Sequence, residues 1–299
     1  MMKNICKIAC TALLVLTTSC IKSDYDTEFC PGLYTITPIV PVEVEKGSNN
    51  FLLYTNTSLL YPVEGWCKTE VGKEKLLELT KGSYQAVSLK DENEHIKSDG
   101  TVISVSSAVD GAANEPSDFV GGCIDFNVEG GLIDWGIINY DVPTHVQTRP
   151  LILKVKMEGN NSALIESITA TVDGITLSRD LKHAFIENGP QDRYPALKRG
   201  YAAYLLDEMD ADGYYTDSRR LLGLDANVKQ NLLLTIHYQG GIQRVLDFDI
   251  TTDLDGFHTE DILTPWVIRI VLSAGADFSA TIEDWKAGPE EWIDAKPIN

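Results

Sequence analysis

Apolar and polar residues alternate with a period of two along most of the chain, and sustained periods of 3.6 are nearly absent. The clearest case is Leu151-Ile152-Leu153-Lys154-Val155-Lys156-Met157, which puts Lys154 and Lys156 on one face and Leu153, Val155 and Met157 on the other. The same pattern predicts strands over 33–44, 51–54, 58–61, 101–109, 123–128, 165–172, 231–238, 244–250, 266–272 and 278–282. Prolines in the first of these point to an edge or irregular strand. Residues 75–81 suit either a helical turn or a strand. Asp173-Gly174 reads as a hairpin turn between Val172 and Ile175, and Gly240-Gly241 as another. Residues 110–118 form a polar loop. Many short strands separated by turn residues predict an all-β chain of two tandem antiparallel β-sandwich domains.

The first residues change the arithmetic of the rest. Lys3 and Lys7 flank a basic start, Ile8–Leu16 is apolar, and Ser19 precedes Cys20, the layout of a secretory signal peptide over residues 1–19. The apolar run is well short of the roughly 20 residues of a membrane span. Leu16-Thr17-Thr18-Ser19-Cys20 resembles a bacterial lipobox, which implies cleavage before Cys20 and lipidation, palmitate included, of its thiol. Residues 20–31 are short, acidic and without apolar period, and read as a tether.

Without residues 1–19 the chain has 23 basic against 44 acidic residues, a net charge of −21. Such an excess argues against nucleic acid as a partner and against a polybasic hold on anionic lipid. Residues 20–148 hold no arginine; the first is Arg149, beside Pro150 and shortly after Pro143. That punctuation places a boundary between an N-terminal sandwich over 32–148 and a C-terminal one over 149–299. Of the cysteines left after Cys20, three remain (Cys30, Cys67, Cys123), which allows one disulfide and one free thiol.

Chemistry is sparse. GxSxG, HExxH, P-loop and GxGxxG motifs are missing. His95, His145, His183, His237 and His258 stand apart from one another. Glu208, Asp210 and Asp212 before Gly213 resemble the start of a calcium loop, but Arg219 falls where a bidentate glutamate is required. Asp247, Asp249, Asp253 and Asp255 form a second acidic cluster whose paired carboxylates suit glycoside hydrolysis only if they face each other. Trp66, Trp135, Trp266, Trp285 and Trp292 suit either a sandwich core or a sugar-stacking platform. No catalytic residue, metal site or cofactor is assigned, and the chain is read as a non-enzyme.

Several stretches together carry a likeness: Asp24–Gly32 after the lipid cysteine, Leu79–Tyr84, Arg149–Leu177, Ser218–Leu224, Leu232–Thr251 and Ile282–Trp285. They resemble the fimbrillin-like pilus proteins of Bacteroidetes, above all the anchor and minor fimbrial subunits. The acidic Asp24, Asp26 and Glu28 also resemble the surface-export signal of lipoproteins from the same phylum.

The resemblance implies two transthyretin-like sandwiches, a lipid anchor in the outer membrane, surface exposure, and a role in cell adhesion. It implies pilus subunits as partners through strand exchange, with Ile282, Glu283, Asp284 and Trp285 as the expected exchange region. In that family stalk subunits are released by cleavage after an arginine near the N-terminus; the arginine-free first 148 residues therefore point to a retained anchor or accessory subunit. The alternative is a glycan-binding surface lipoprotein of the carbohydrate-uptake type.

Overall fold

A computed structural model describes residues 32–39, 48–55, 58–61, 68–70, 75–79, 81–90, 94–128, 138–158, 164–182, 196–225, 227–258, 263–273 and 280–287. The signal peptide, Cys20, the tether, Cys30 and Cys67 lie outside the described residues.

Among the described residues the regular elements are strands, apart from short 3-10 turns such as Thr252–Leu254, as the period-two pattern requires. The N-terminal half contributes β1 (Gly32–Ile39), β2 (Ser48–Thr55), β3 (Ser58–Tyr61), β4 (Lys68–Glu70), β5 (Lys75–Leu79), β6 (Gly82–Lys90), β7 (Ile96–Asp99), β8 (Val102–Val105), β9 (Val120–Val128), β10 (Ile138–Pro143) and β11 (His145–Val146). The C-terminal half contributes β12 (Arg149–Glu158), β13 (Ile165–Asp180), β14 (Lys198–Leu206), β15 (Glu208–Met209), β16 (Tyr215–Leu221), β17 (Asn231–Tyr238), β18 (Ile242–Asp249), β19 (Trp266–Ser273) and β20 (Ala280–Ala287).

The strands form four sheets. In the C-terminal half, β15-β16-β12-β19-β20 faces the sheet built on β13. Alternation supplies the core between them. Leu151, Leu153 and Val155 of β12 and Ile268 and Ile270 of β19 meet Ile168 and Val172 of β13 and Leu232, Leu234 and Ile236 of β17, all fully buried. At about 25 cal/mol per Å² of apolar surface removed from water, this shared layer dominates the stability of the half. In the N-terminal half a smaller cluster, Leu79, Tyr84, Ala86, Phe126, Val128 and Val142, lies between β10-β1-β5 and the sheet containing β9-β6-β2-β3.

The sheets are not wholly antiparallel. β1 runs parallel to β10, and β12 runs parallel to β19. These two exceptions show a repeat that the residue pattern hides. In each half the opening strand sits between a parallel late strand and an antiparallel one: β10-β1-β5 and β19-β12-β16. In each half the facing sheet also repeats, as β9-β6-β2 and β18-β17-β13.

Pro38, the proline of the expected first strand that falls within β1, does not make it an edge strand; Pro41 lies outside the described residues. β5 pairs only with Gly32–Ile36, so Pro38 lies where β1 is paired with β10 alone. A missing N–H costs little there. Residues 75–79 resolve as a strand, their Leu76 and Leu77 registered opposite Thr35 and Tyr34.

The expected hairpin at Asp173-Gly174 is corrected: β13 runs straight through it for 16 residues. Gly174 takes a positive φ of 74°, and the register with β14 slips between Asp173 and Ile175. A left-handed glycine serves a bulge as readily as a hairpin. The bulge lets β13 continue past the end of β17, and Ser178–Asp180 then pairs with Val102–Ser104 of β8.

The β7–β8 hairpin is therefore an insertion of the N-terminal half, between β6 and β9, that completes a sheet of the C-terminal half. Its inner side chains Ile96, Ile103 and Val105 join Val87, Leu89, Phe119 and Cys123 from one half and Leu181 and Leu222 from the other in a shared cluster. Downstream, Ala113 N–H donates to the Tyr201 carbonyl (2.8 Å) on the edge of β14, and Glu115 and Asp118 pair with Arg219 and Arg220.

Candidate functional site

The expected exchange region lies in β20, the outermost strand of its sheet. Its pairing with β19 is antiparallel, with Trp285 opposite Ile268, Asp284 opposite Arg269 and Ile282 opposite Ile270. Glu283 is the extra residue of a bulge there. One edge of β20 is thus satisfied, and among the described residues no strand pairs with the other. The repeat gives this edge a counterpart. β10 occupies in the N-terminal half the place that β19 occupies in the C-terminal half. Among the described residues no strand lies on β10 as β20 lies on β19. Among the described residues, the C-terminal half has at this edge a strand that the N-terminal half does not. An unpaired edge is a template for an incoming strand.

The base of this sheet is fixed by Arg149. The first arginine of the chain is 1% exposed, at the start of β12. Its Nε donates to the Thr264 carbonyl (2.7 Å) and its Nη1 to the Phe257 carbonyl (2.8 Å). The guanidinium lies 4.8 Å from the Trp266 ring centroid and 5.6 Å from that of Phe257. Trp266 is fully buried, and its indole N–H donates to the Asp253 carbonyl (3.0 Å). One cation thereby ties the loop before β19 to the strand β19 runs beside, where sequence reading saw only punctuation.

The other candidate residues do not converge. Asp210 accepts N–H bonds from Asp212 (3.0 Å) and Tyr214 (2.9 Å) on one oxygen, and Lys154 Nζ (2.9 Å) on the other. Burial pushes its carboxyl up, but those donors outweigh it and hold the group below its ordinary value. A carboxylate already held by a lysine is a poor calcium ligand, and Arg219 reaches away to the Ala203 carbonyl (3.0 Å). Among the described residues no group of three His, Cys, Asp or Glu is placed to hold a metal ion.

Asp247 and Asp249 are exposed on the strand β18, not facing across a cleft. Lys229 holds Asp249 at about 2 by hydrogen bond, helped by Thr251. Asp253 is raised by burial. The histidines are scattered: His145 is lowered by burial, and the His258 Nε2 accepts the Leu224 N–H (3.1 Å). Trp266 belongs to the core; Trp66, Trp135 and Trp292, with His183, lie outside the described residues. Cys123 is a free, buried thiol, pushed up to about 12 by burial and then by Asp180 and Asp125.

No family model matches the chain, and no curated protein matches it in sequence. Solved structures do match in shape. The fimbrial anchor protein Mfa2 from Porphyromonas gingivalis gives a TM-score of 0.59 at 12% identity, covering 86% of this chain and 97% of that one. A candidate adhesin from Bacteroides ovatus gives 0.58 at 12% identity, covering 87% and 96%. A candidate polysaccharide-binding protein from Bacteroides thetaiotaomicron gives 0.54 at 11% identity, covering 87% and 99%. At such identities the likeness is one of fold. The all-β sandwich class implied by the fimbrillin-like resemblance is the one observed.

Proposed function

We propose that this chain is a lipid-held protein of the outer-membrane surface that anchors a fimbria, or joins it as an accessory subunit, and so serves cell adhesion. The observation that carries the reading is the shared fold with a fimbrial anchor over nearly the full length of both chains. Fold alone does not fix function; the sequence adds the lipobox-like Cys20 and the acidic tether. It also lacks arginine before Arg149, and Arg149 is buried in a central strand, out of reach of a processing protease.

The partner is a pilus subunit met by strand exchange. β20, with Ile282–Trp285, is the strand offered, and the edge of β10 that no described strand covers is the place for a strand received. The membrane is met through lipid on Cys20. Glycan binding through stacked tryptophans is the weaker reading, because Trp266 lies in the core.

Two measurements test the proposal in cells. Palmitate labelling should mark the chain and vanish in Cys20→Ala. Affinity capture from outer membranes should recover a pilin, and deletion of residues 280–299 should abolish the capture. Labelled protein that brings down no pilin sinks the fimbrial part while leaving the lipid anchor standing.

A further inference from the structure

A groove of about 850 Å³ crosses the outer face of the β6–β9 pair. Its volume falls in the roughly 300–1,000 Å³ range of small-ligand sites. The face changes character along its length. Val87, Leu89 and Cys123 are apolar and roofed by the β7–β8 hairpin. One row further on, the hairpin ends in its turn, Asp99-Gly100-Thr101, and the face becomes polar and open. The turn and Lys182 form a wall; Ser83, Gln85, Asp125 and Asn127 form the floor.

The floor is preorganised. Gln85 Nε2 donates to Asp125 Oδ1 (2.6 Å), Lys182 Nζ to Asp125 Oδ2 (3.1 Å), and Ser83 Oγ to Asn127 Oδ1 (2.7 Å). These bonds orient side chains that stay solvent-exposed, and they leave both donor and acceptor capacity. The Asn127 amide keeps its N–H donors, Lys182 keeps two, and the Gln85 carbonyl oxygen and the Asp99 carboxylate accept. Donors and acceptors therefore alternate within a few ångströms across a surface too polar for an aliphatic ligand. Two carboxylates against one ammonium, in a chain of net charge −19, disfavour an anion.

We propose that this groove binds a neutral carbohydrate, whose hydroxyls each donate and accept, with Gln85, Asp125, Asn127 and Lys182 as the recognising side chains. This site is separate from the β10 and β20 edges and does not rest on the fimbrial reading.

Calorimetry on the full chain in detergent would use maltohexaose, cellohexaose and mannohexaose as neutral probes and hexagalacturonate as the acidic one. Binding of a neutral probe is expected, weakened about tenfold by Asn127→Ala and by Lys182→Ala, each removing hydrogen bonds from an exposed position. Unchanged Tm in both variants separates this from unfolding. No binding of any neutral probe, preference for hexagalacturonate, or affinity untouched by both variants overturns the proposal. Pilin capture is a separate readout, and either result can fail alone.

Discussion

The Arg149 guanidinium stands 4.8 Å from the ring centroid of Trp266, and the two residues open the parallel strands β12 and β19. A desolvated cation over indole is worth about 2 kcal/mol, and two carbonyls depend on the same group. Arg149→Ala is expected to cost about 3 kcal/mol or more, since it removes the donor of the buried Phe257 carbonyl along with the cation over Trp266. Arg149→Lys should cost about 2 kcal/mol, because an ammonium neither stacks nor forks as a guanidinium does. Urea denaturation at fixed pH measures both; a loss below about 0.5 kcal/mol in Arg149→Ala, the level of an ordinary surface change, would contradict the assigned role.

The same burial predicts a proteolytic pattern. Arg149 and Arg179 are 1% and 2% exposed, whereas the Arg199 side chain is 60% exposed. An arginine-specific protease acting on the native chain should cut after neither Arg149 nor Arg179. In urea the bond after Arg179 should open, whereas the Arg149–Pro150 bond should stay resistant because proline follows the arginine. Intact-mass spectrometry of the fragments reads the difference, and a native fragment ending at Arg149 would remove one support for a retained anchor.

Acid should loosen the 207–214 turn. The folded Asp210 carboxyl lies below its ordinary value, so its contribution is present above the unfolded value of about 3.9 and is lost as pH falls through the folded one. Asp210→Asn keeps the N–H acceptor but loses the charge facing Lys154. It should cost about 0.5–1 kcal/mol at pH 7, the worth of a partly screened ion pair. The cost should be smaller in acid, once the pH has fallen through the folded value. Paired denaturation curves at pH 7 and in acid check this; an equal cost at both would show that the charge is irrelevant.

Cys123 should be chemically silent. Its thiol is 7% exposed and titrates near 12, so almost none is thiolate at pH 8. An aromatic disulfide reagent should leave Cys123 unmodified in the native chain and modify it in denaturant. Peptide mapping distinguishes it from Cys30 and Cys67.

Period-two alternation made β12 and β17 legible because each has one face in the core and one outside it, whereas β19 was legible as an apolar run, with Val267 and Val271 buried on its second face as well. Leu151, Leu153 and Val155 had to point inward together. The Asp173-Gly174 bulge was read as a reversal because a left-handed glycine satisfies both; only the partner strand decides, and that partner, β8, lies about 70 residues earlier. The parallel pairings of β1 with β10 and β12 with β19 leave no mark on either strand. Arg149 was visible only as punctuation, since its burial depends on Phe257, Thr264 and Trp266 arriving more than 100 residues later. The exchange region Ile282–Trp285 was found through resemblance, and its place at an edge came from topology.

The β7–β8 insertion carries a consequence for how force passes through the molecule. Tension applied between β1 and β20 would not fall on residues 144–148 alone. It would be shared with the ladder joining Val102–Ser104 to Ser178–Asp180 and with the apolar cluster beneath it. Strands pulled along their length resist together, bond by bond in parallel, where a simple tether would yield first at its joint. The hairpin makes the junction a splice rather than a hinge.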